Sequence, residues 1–282
     1  MERKKISEYI SLFPISNLIV WFMAMGLMFI YPSLSHASSM NAREIMQRVE
    51  DRDDGDRAVS DVEMILIDKN KKQRVRKIRR FEKDMGMDTH FILFFLSPAD
   101  VKDTGFLTYD YDDSNRDDDQ WLYLPALRKV KRIASSDKSK SFMGSDFSYA
   151  DMTKRDLDDY DFSVMKSTGV KGVQTWQLKA VPRTKGVIDE IGYTKSILFV
   201  QKDNYVVIRA LHWVKKGKRL KYMDVKKLEL IDGIWVATEV EMTTKKGKII
   251  LHKTILKRSN VRFNQDLKPS LFSVRQLEKG LL

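Results

Sequence analysis

The feature that most constrains this chain is a period of two. From Val59 onward apolar and polar residues alternate through successive short runs, separated by Lys202-Asp203-Asn204, Lys216-Gly217, Asp232-Gly233 and Lys246-Gly247. Alternation puts successive side chains on opposite faces of a pleated strand, and Gly or Asn in a short connection is a hairpin signal. The runs at 59–67, 74–81, 105–109, 120–124, 174–181, 193–201, 206–215, 219–230, 234–243 and 248–257 therefore predict strands. The stretch THFILFFL at 89–96 is apolar throughout and ends at Ser97-Pro98, which predicts a strand buried on both faces. No helix of ordinary length interrupts them. Consecutive short connections imply antiparallel neighbours, hence a mainly β meander that must curl or pack to cover its apolar face.

Helical periodicity is confined to one place. After Asn41, Ala42, Ile45, Met46 and Val49 recur at i, i+3, i+4 and i+7, predicting a short amphipathic helix over Ala42–Glu50. The stretch 264–279 is less regular and is expected to close one end of the sheet.

The first 37 residues read as an address. Arg3, Lys4 and Lys5 precede an uncharged run at 18–30, and small residues stand at Ser35 and Ala37. That order predicts a Sec-type signal peptide at 1–37 with cleavage after Ala37, leaving a single domain at 38–282. An uncleaved anchor over 10–31 is the competing reading. Export without a second apolar span predicts a periplasmic protein. Cleavage leaves 48 Lys plus Arg against 37 Asp plus Glu, a charge of +11. In that compartment a basic surface meets anionic membrane rather than nucleic acid, so transient membrane contact is expected and nucleic acid is not.

Several chemistries are absent from the residue list. With no Cys there is no disulfide, thiolate nucleophile or cysteine metal site. His90, His212 and His252 lie in predicted strands without a two-histidine metal spacing, and no nucleophile elbow, phosphate-binding loop or dinucleotide glycine pattern occurs. No catalytic residue, metal or cofactor is therefore expected; a hydrolase would need a base beside Ser145 or His212. The acidic loop 110–119 reads as a solvated hairpin tip, with cation binding as its alternative.

Binding is better supported. Four tryptophans at 121, 176, 213 and 235 lie in the predicted strands, and an apolar concave face can enclose an apolar ligand. Three blocks then stand in order: SPADVKDTGFLTYD, QWLYLPALRKVKRI and SFMGSDFSYADM. Together they resemble the outer-membrane lipoprotein-sorting protein family, related to the periplasmic lipoprotein carrier LolA. The resemblance runs across nearly the whole chain after residue 37. It implies an open antiparallel half-barrel, with a few short helices plugging a hydrophobic cavity for acyl chains of a lipid or lipoprotein, and an inner-membrane exporter of the resistance–nodulation–division (RND) class as partner. Against that frame Phe94, Trp121, Tyr123, Trp176, Trp213 and Trp235 are expected to line the cavity. Phe142, Met143 and Phe147 surround the Gly144 hinge as a lid, and Arg128, Lys129, Lys131 and Arg132 form a patch for head groups or a partner. The leading reading is a non-enzymatic carrier; the alternative is an exporter accessory that binds protein and no lipid.

Overall fold

The computed structural model describes residues 40–281, so the signal-peptide expectation at 1–37 lies outside the described residues. Helix α1 (Ala42–Glu50) begins with a capping box: Asn41 Oδ1 accepts from the Glu44 amide, and Glu44 returns a carboxylate to the Asn41 amide. Two of the four orphan amides of the first turn are satisfied in this way. The apolar face carrying Ala42, Ile45 and Met46 is buried.

All the remaining regular structure serves one sheet. Strands β1 (Arg57–Asp68), β2 (Gln73–Met85), β3 (Asp88–Ser97), β4 (Gly105–Asp110), β5 (Asp119–Leu124) and β6 (Lys129–Arg132) form its first half. After an irregular segment come β7 (Tyr160–Val170), β8 (Val173–Pro182), helix α2 (Lys185–Ile191), β9 (Tyr193–Gln201), β10 (Val207–Val214), β11 (Leu220–Ile231), β12 (Ile234–Lys246), β13 (Ile249–Phe263) and helix α3 (Val274–Lys279). The order is β6-β5-β4-β3-β2-β1-β13-β12-β11-β10-β9-β8-β7. Every neighbour is antiparallel, and the two halves join where β1 meets β13, with Met64 opposite Leu256.

The sheet is curled and unclosed. Tyr111, which follows β4, and Tyr193 of β9 line one cleft, although β4 and β9 stand eight places apart in the order. Flat, at about 4.8 Å per strand, they would be roughly 40 Å apart. Because β6 and β7 do not pair, the result is a half-barrel. Segment 133–159 crosses its concave face, placing Ile133, Phe142 and Tyr149 against β1–β5 and Leu157 against β8–β10.

The alternation expected of the sequence is present, and of 89–96 the middle, 91–95, is buried on both faces while Leu96 is exposed: Phe91, Leu93 and Phe95 look to the concave side, Ile92 and Phe94 to the convex side. Four elements were not predicted, the short helix α3 among them. Edge strands β6 and β7 are largely exposed, so they lack the apolar alternation that burial imposes, and α2 is too short to show a helical period. The 264–279 stretch does not close an end. It straps the convex face of β1–β6, where Leu267, Phe272 and Leu277 cover Val59, Ile92, Phe94 and Leu107. Lys83 donates to the Leu267 carbonyl, and Tyr109 to that of Phe272, both at 2.7 Å.

Gly105 makes this strap possible, because a Cβ there would stand 2.6 Å from Leu277 Cδ1 and 3.2 Å from the Phe94 ring. Leu277 is fully buried and has nowhere to retreat. We expect Gly105→Ala to cost about 1–3 kcal/mol in urea unfolding, and distinctly less in a Leu277→Ala background, where the clash is gone. Strictly additive costs would refute this contact.

Candidate functional site

The concave face is apolar at its flanks and polar at its centre. On the β1–β5 flank Met64, Leu66, Ile78, Phe91, Leu93, Phe95, Phe106 and Leu122 are buried together; on the β8–β10 flank Leu178, Ala180, Leu198, Val200 and Ala210 pack under α1. Between them the strands present Thr244, Thr254, His252, Lys221, His212 and Ser196, which share a face by register with the apolar residues beside them.

Segment 133–159 matches this pattern with aromatic residues over the first flank and carboxylates over the centre. Phe142 sits 5.0 Å from the Phe106 ring, tilted, and 5.6 Å from that of Tyr149, edge to face, by centroids, both geometries favourable to aromatic pairs. Asp146, nearly fully buried, accepts from the Thr244 hydroxyl at 2.5 Å and the Thr254 hydroxyl at 2.7 Å. Its second oxygen also lies 2.7 Å from His252 Nδ1, and its amide donates to Thr254 Oγ1 at 2.9 Å. Asp151 accepts from the Ser148 amide and hydroxyl and from the Tyr193 hydroxyl, each at 2.8 Å, while Lys221 donates to Tyr193 at 3.0 Å. Burial pushes the Asp151 carboxyl up, but Lys221, the Ser148 amide and Tyr193 outweigh it and hold it below the usual range. Arg76 adds a bond to the Met143 carbonyl at 2.5 Å, and Gln120 one to the Tyr149 carbonyl at 3.0 Å. The segment is thus bonded to the sheet by seven contacts, made through Met143, Asp146, Tyr149 and Asp151.

The proposed cavity residues are not brought together. Phe94, Trp121 and Tyr123 lie on the convex face under the C-terminal strap. Trp213 alternates with the buried His212 and so points the other way, beneath the Lys195 ammonium at 4.4 Å. Trp235 is exposed, and Trp176 alone reaches the concave face, stacked on Tyr205. The error is one of phase: period two separates the faces without saying which is concave, and a one-residue slip exchanges them. On the β1–β5 flank the concave aromatics are Phe91, Phe95 and Phe106 of the sheet with Phe142 and Tyr149 of the segment, and the register, which sets Phe106 opposite Leu122 and Phe95 opposite Ile78, separates them from Phe94.

Of the expected lid, Phe142 and Phe147 are buried and Met143 packs against the same cluster, holding a positive φ of 50° beside Gly144. Against the β1–β5 flank the apolar interior is filled by this segment. Within the basic patch, Lys131 pairs with Asp137 and Arg132 with Asp119, whereas Arg128 and Lys129 are exposed and have no ion pair among the described residues. Ser145 Oγ donates to the carbonyl of Phe147. His212 does meet a hydroxyl, Ser196 Oγ at 2.7 Å, but both are buried and burial drives the imidazole pKa down to about 3, so the pair is a satisfied core contact.

One end of the half-barrel holds a polar pocket. A cleft of about 530 Å³ opens there and is lined by Glu50, Asp110, Asp118, Asp156, Asp158, Asp159 and Glu190 with Arg43, Lys138, Lys154 and Arg155 among them. Carboxylates of loop 110–119 serve as internal acceptors: Asp110 from the Lys154 amide, Asp118 from the Tyr111 amide, Asp119 from the Tyr111 hydroxyl. No cluster of three metal-ligating side chains occurs among the described residues.

Burial, reinforced by Asp118, pushes Asp110 up to about 7; burial, reinforced by Asp156 and Asp51, does the same for Glu50. Both therefore hold protons in the folded state over a range where the unfolded chain has released them, so their contribution favours the fold in acid and is lost as pH rises through about 7. Asp151 runs the other way, contributing above the ordinary aspartate range and losing that contribution as pH falls through its depressed value. Thermal stability should accordingly peak near about pH 4 and decline until about pH 7, with Asp110→Asn flattening that decline. A decline of unchanged slope in the variant would remove Asp110 from this account. Asp146→Ala, which strands buried hydroxyl donors, should cost about 2–3 kcal/mol in denaturant unfolding, well beyond the exposed Asp113→Ala.

Comparison with known proteins places this geometry. A family model described only as an uncharacterized protein matches residues 87–279. Among solved structures, the chain is 31% identical to a domain from Vibrio parahaemolyticus described as an outer membrane lipoprotein-sorting protein domain, with a TM-score of 0.76, covering 84% of this chain and 98% of that one. It is 30% identical to a DUF1329 family protein from Desulfovibrio piger, with a TM-score of 0.76 and coverage of 84% and 97%. A LolA superfamily protein from Nitrosomonas europaea shares the fold at 16% identity, with a TM-score of 0.62 and coverage of 84% and 100%. Curated proteins gave no match.

Proposed function

From the premise that this chain belongs to the LolA-like family of outer-membrane lipoprotein-sorting proteins, we propose that it is a non-enzymatic periplasmic carrier for acyl chains of a lipid or lipoprotein. Segment 133–159 is the gate. The observation that carries this reading is the mismatch in how that segment is held: an apolar flank covered by removable side chains, beside a polar centre that bonds it down.

The magnitudes favour exchange. Withdrawing Ile133, Phe142 and Tyr149 from the β1–β5 flank forfeits about 2–3 kcal/mol each in transfer, and the seven anchoring contacts about 1 kcal/mol each. Burying a 16-carbon chain in their place returns roughly 12 kcal/mol gross. Totals of similar size make uptake and release reversible, which a carrier between two membranes requires. An RND-class exporter as donor or acceptor belongs to the same proposal, with Arg128 and Lys129 at the edge of the sheet as the contact.

A second reading, an accessory protein that carries no lipid, draws on one observation: the apolar interior is already filled.

One experiment separates them. Organic extracts of protein taken gently from the cell envelope would be analysed by mass spectrometry, alongside binding of a fluorescent hexadecanoyl probe to the same protein and to Phe142→Ala. Carriage predicts a stoichiometric amphiphile and about tenfold tighter probe binding in the variant, whose gate has lost its central ring. An empty protein, with no probe binding by either form, would favour the accessory reading.

A further inference from the structure

We propose that three neighbouring hairpin tips form a docking surface for an anionic phospholipid bilayer. The β1–β2, β12–β13 and β10–β11 turns lie side by side at one end of the sheet, because β2, β1, β13, β12, β11 and β10 are consecutive in its order. The register confirms the common end: Ile67 pairs with Gln73, Asp68 with His252, Lys246 with Ile249, and Leu220 with Lys245. Six strands at about 4.8 Å make a rim roughly 24 Å wide.

The rim carries one sign of charge. Lys69, Lys71, Lys72 and Arg74 belong to the first tip, Lys245, Lys246 and Lys248 to the second, and Lys215, Lys216, Lys218 and Arg219 to the third, with no Asp or Glu interspersed. Among the described residues only Lys215 has an acidic partner, Asp189. Flanking Asp68 spends its carboxylate on the turn amides of Asn70 and Lys72. Between tips, a recess of about 180 Å³ lined by Leu66, Asp68, Lys72, Arg74 and His252 is large enough for a phosphate group.

Charge alone would suit any polyanion; the apolar residues choose among them. Ile249 is 65% exposed and Ile250 45% exposed, directly after Lys248, with Val75 exposed on the neighbouring tip. Cations that remain near lipid phosphates while aliphatic side chains enter the acyl boundary are the composition of an interfacial membrane contact. A nucleic-acid backbone offers nothing to the isoleucine pair. Apart from Leu66 and His252 at the floor of the recess, these residues lie outside the concave face, so the inference goes beyond the carrier reading and stands without it.

Vesicle co-sedimentation tests it, using equal parts phosphatidylglycerol and phosphatidylcholine against phosphatidylcholine alone. The protein from the cell envelope should bind the anionic vesicles selectively, and binding should weaken with salt. Each cation near such a surface is worth about fivefold, so Lys71→Gln, Lys72→Gln, Lys246→Gln and Lys248→Gln combined should weaken binding by a hundredfold or more. Ile249→Ser with Ile250→Ser should leave binding at low salt but abolish the salt-resistant fraction. All six positions are exposed, and far-UV circular dichroism confirms that the variants fold. Equal binding to both vesicles, unchanged binding by the lysine variant, or displacement by duplex DNA with DNA binding untouched by the isoleucine substitutions would each overturn the proposal. Hexadecanoyl-probe binding in the lysine variant reports separately on carriage.

Discussion

Everything on the concave side depends on two carboxylates buried where the sheet is polar. Asp146 and Asp151 lie on a segment without sheet pairing of its own beyond an isolated bridge, yet they are satisfied by hydroxyls, amides and an imidazole from β9, β12 and β13 and from the segment itself. Removed from water unpaired, each would be strongly unfavourable; paired in this way, they fix where the segment crosses and therefore which apolar side chains it covers. The aromatic contacts of Phe142 follow from that placement.

The same constraint explains why the charged residues of this fold are so unevenly distributed. Acidic side chains gather around the cleft near α1 and loop 110–119, where burial raises several of them toward neutrality. Basic ones populate β2 and the hairpin tips at the other end of the central strands. With charges segregated along the strands, the molecule presents different chemistry at its two ends.

Much of this was legible in the sequence and some was not, for identifiable reasons. The helix over Ala42–Glu50 was marked by its cap and its period, and the doubly buried strand by an unbroken apolar run. Strand β7 was not legible, because a free edge exposed along most of its length is not obliged to alternate. The family was readable from three blocks, but the lining was not. Trp121 and Leu122 are equally plausible inward residues until the register with Phe106 and Leu107 is known, and that register is set by long-range pairing. The partners of Asp146 lie about a hundred residues away, on strands whose Thr and His positions look ordinary in isolation.

The linear strand order also has a mechanical meaning. In a closed barrel, admitting a bulkier guest requires breaking a hydrogen-bonded ladder somewhere around the ring. Here β6 and β7 end the sheet without pairing, and what spans the gap between them is a stretch of chain held by side-chain contacts. The mouth can therefore widen by twisting and splaying strands, with every ladder intact. Girth in such a half-barrel is an elastic variable rather than a fixed dimension.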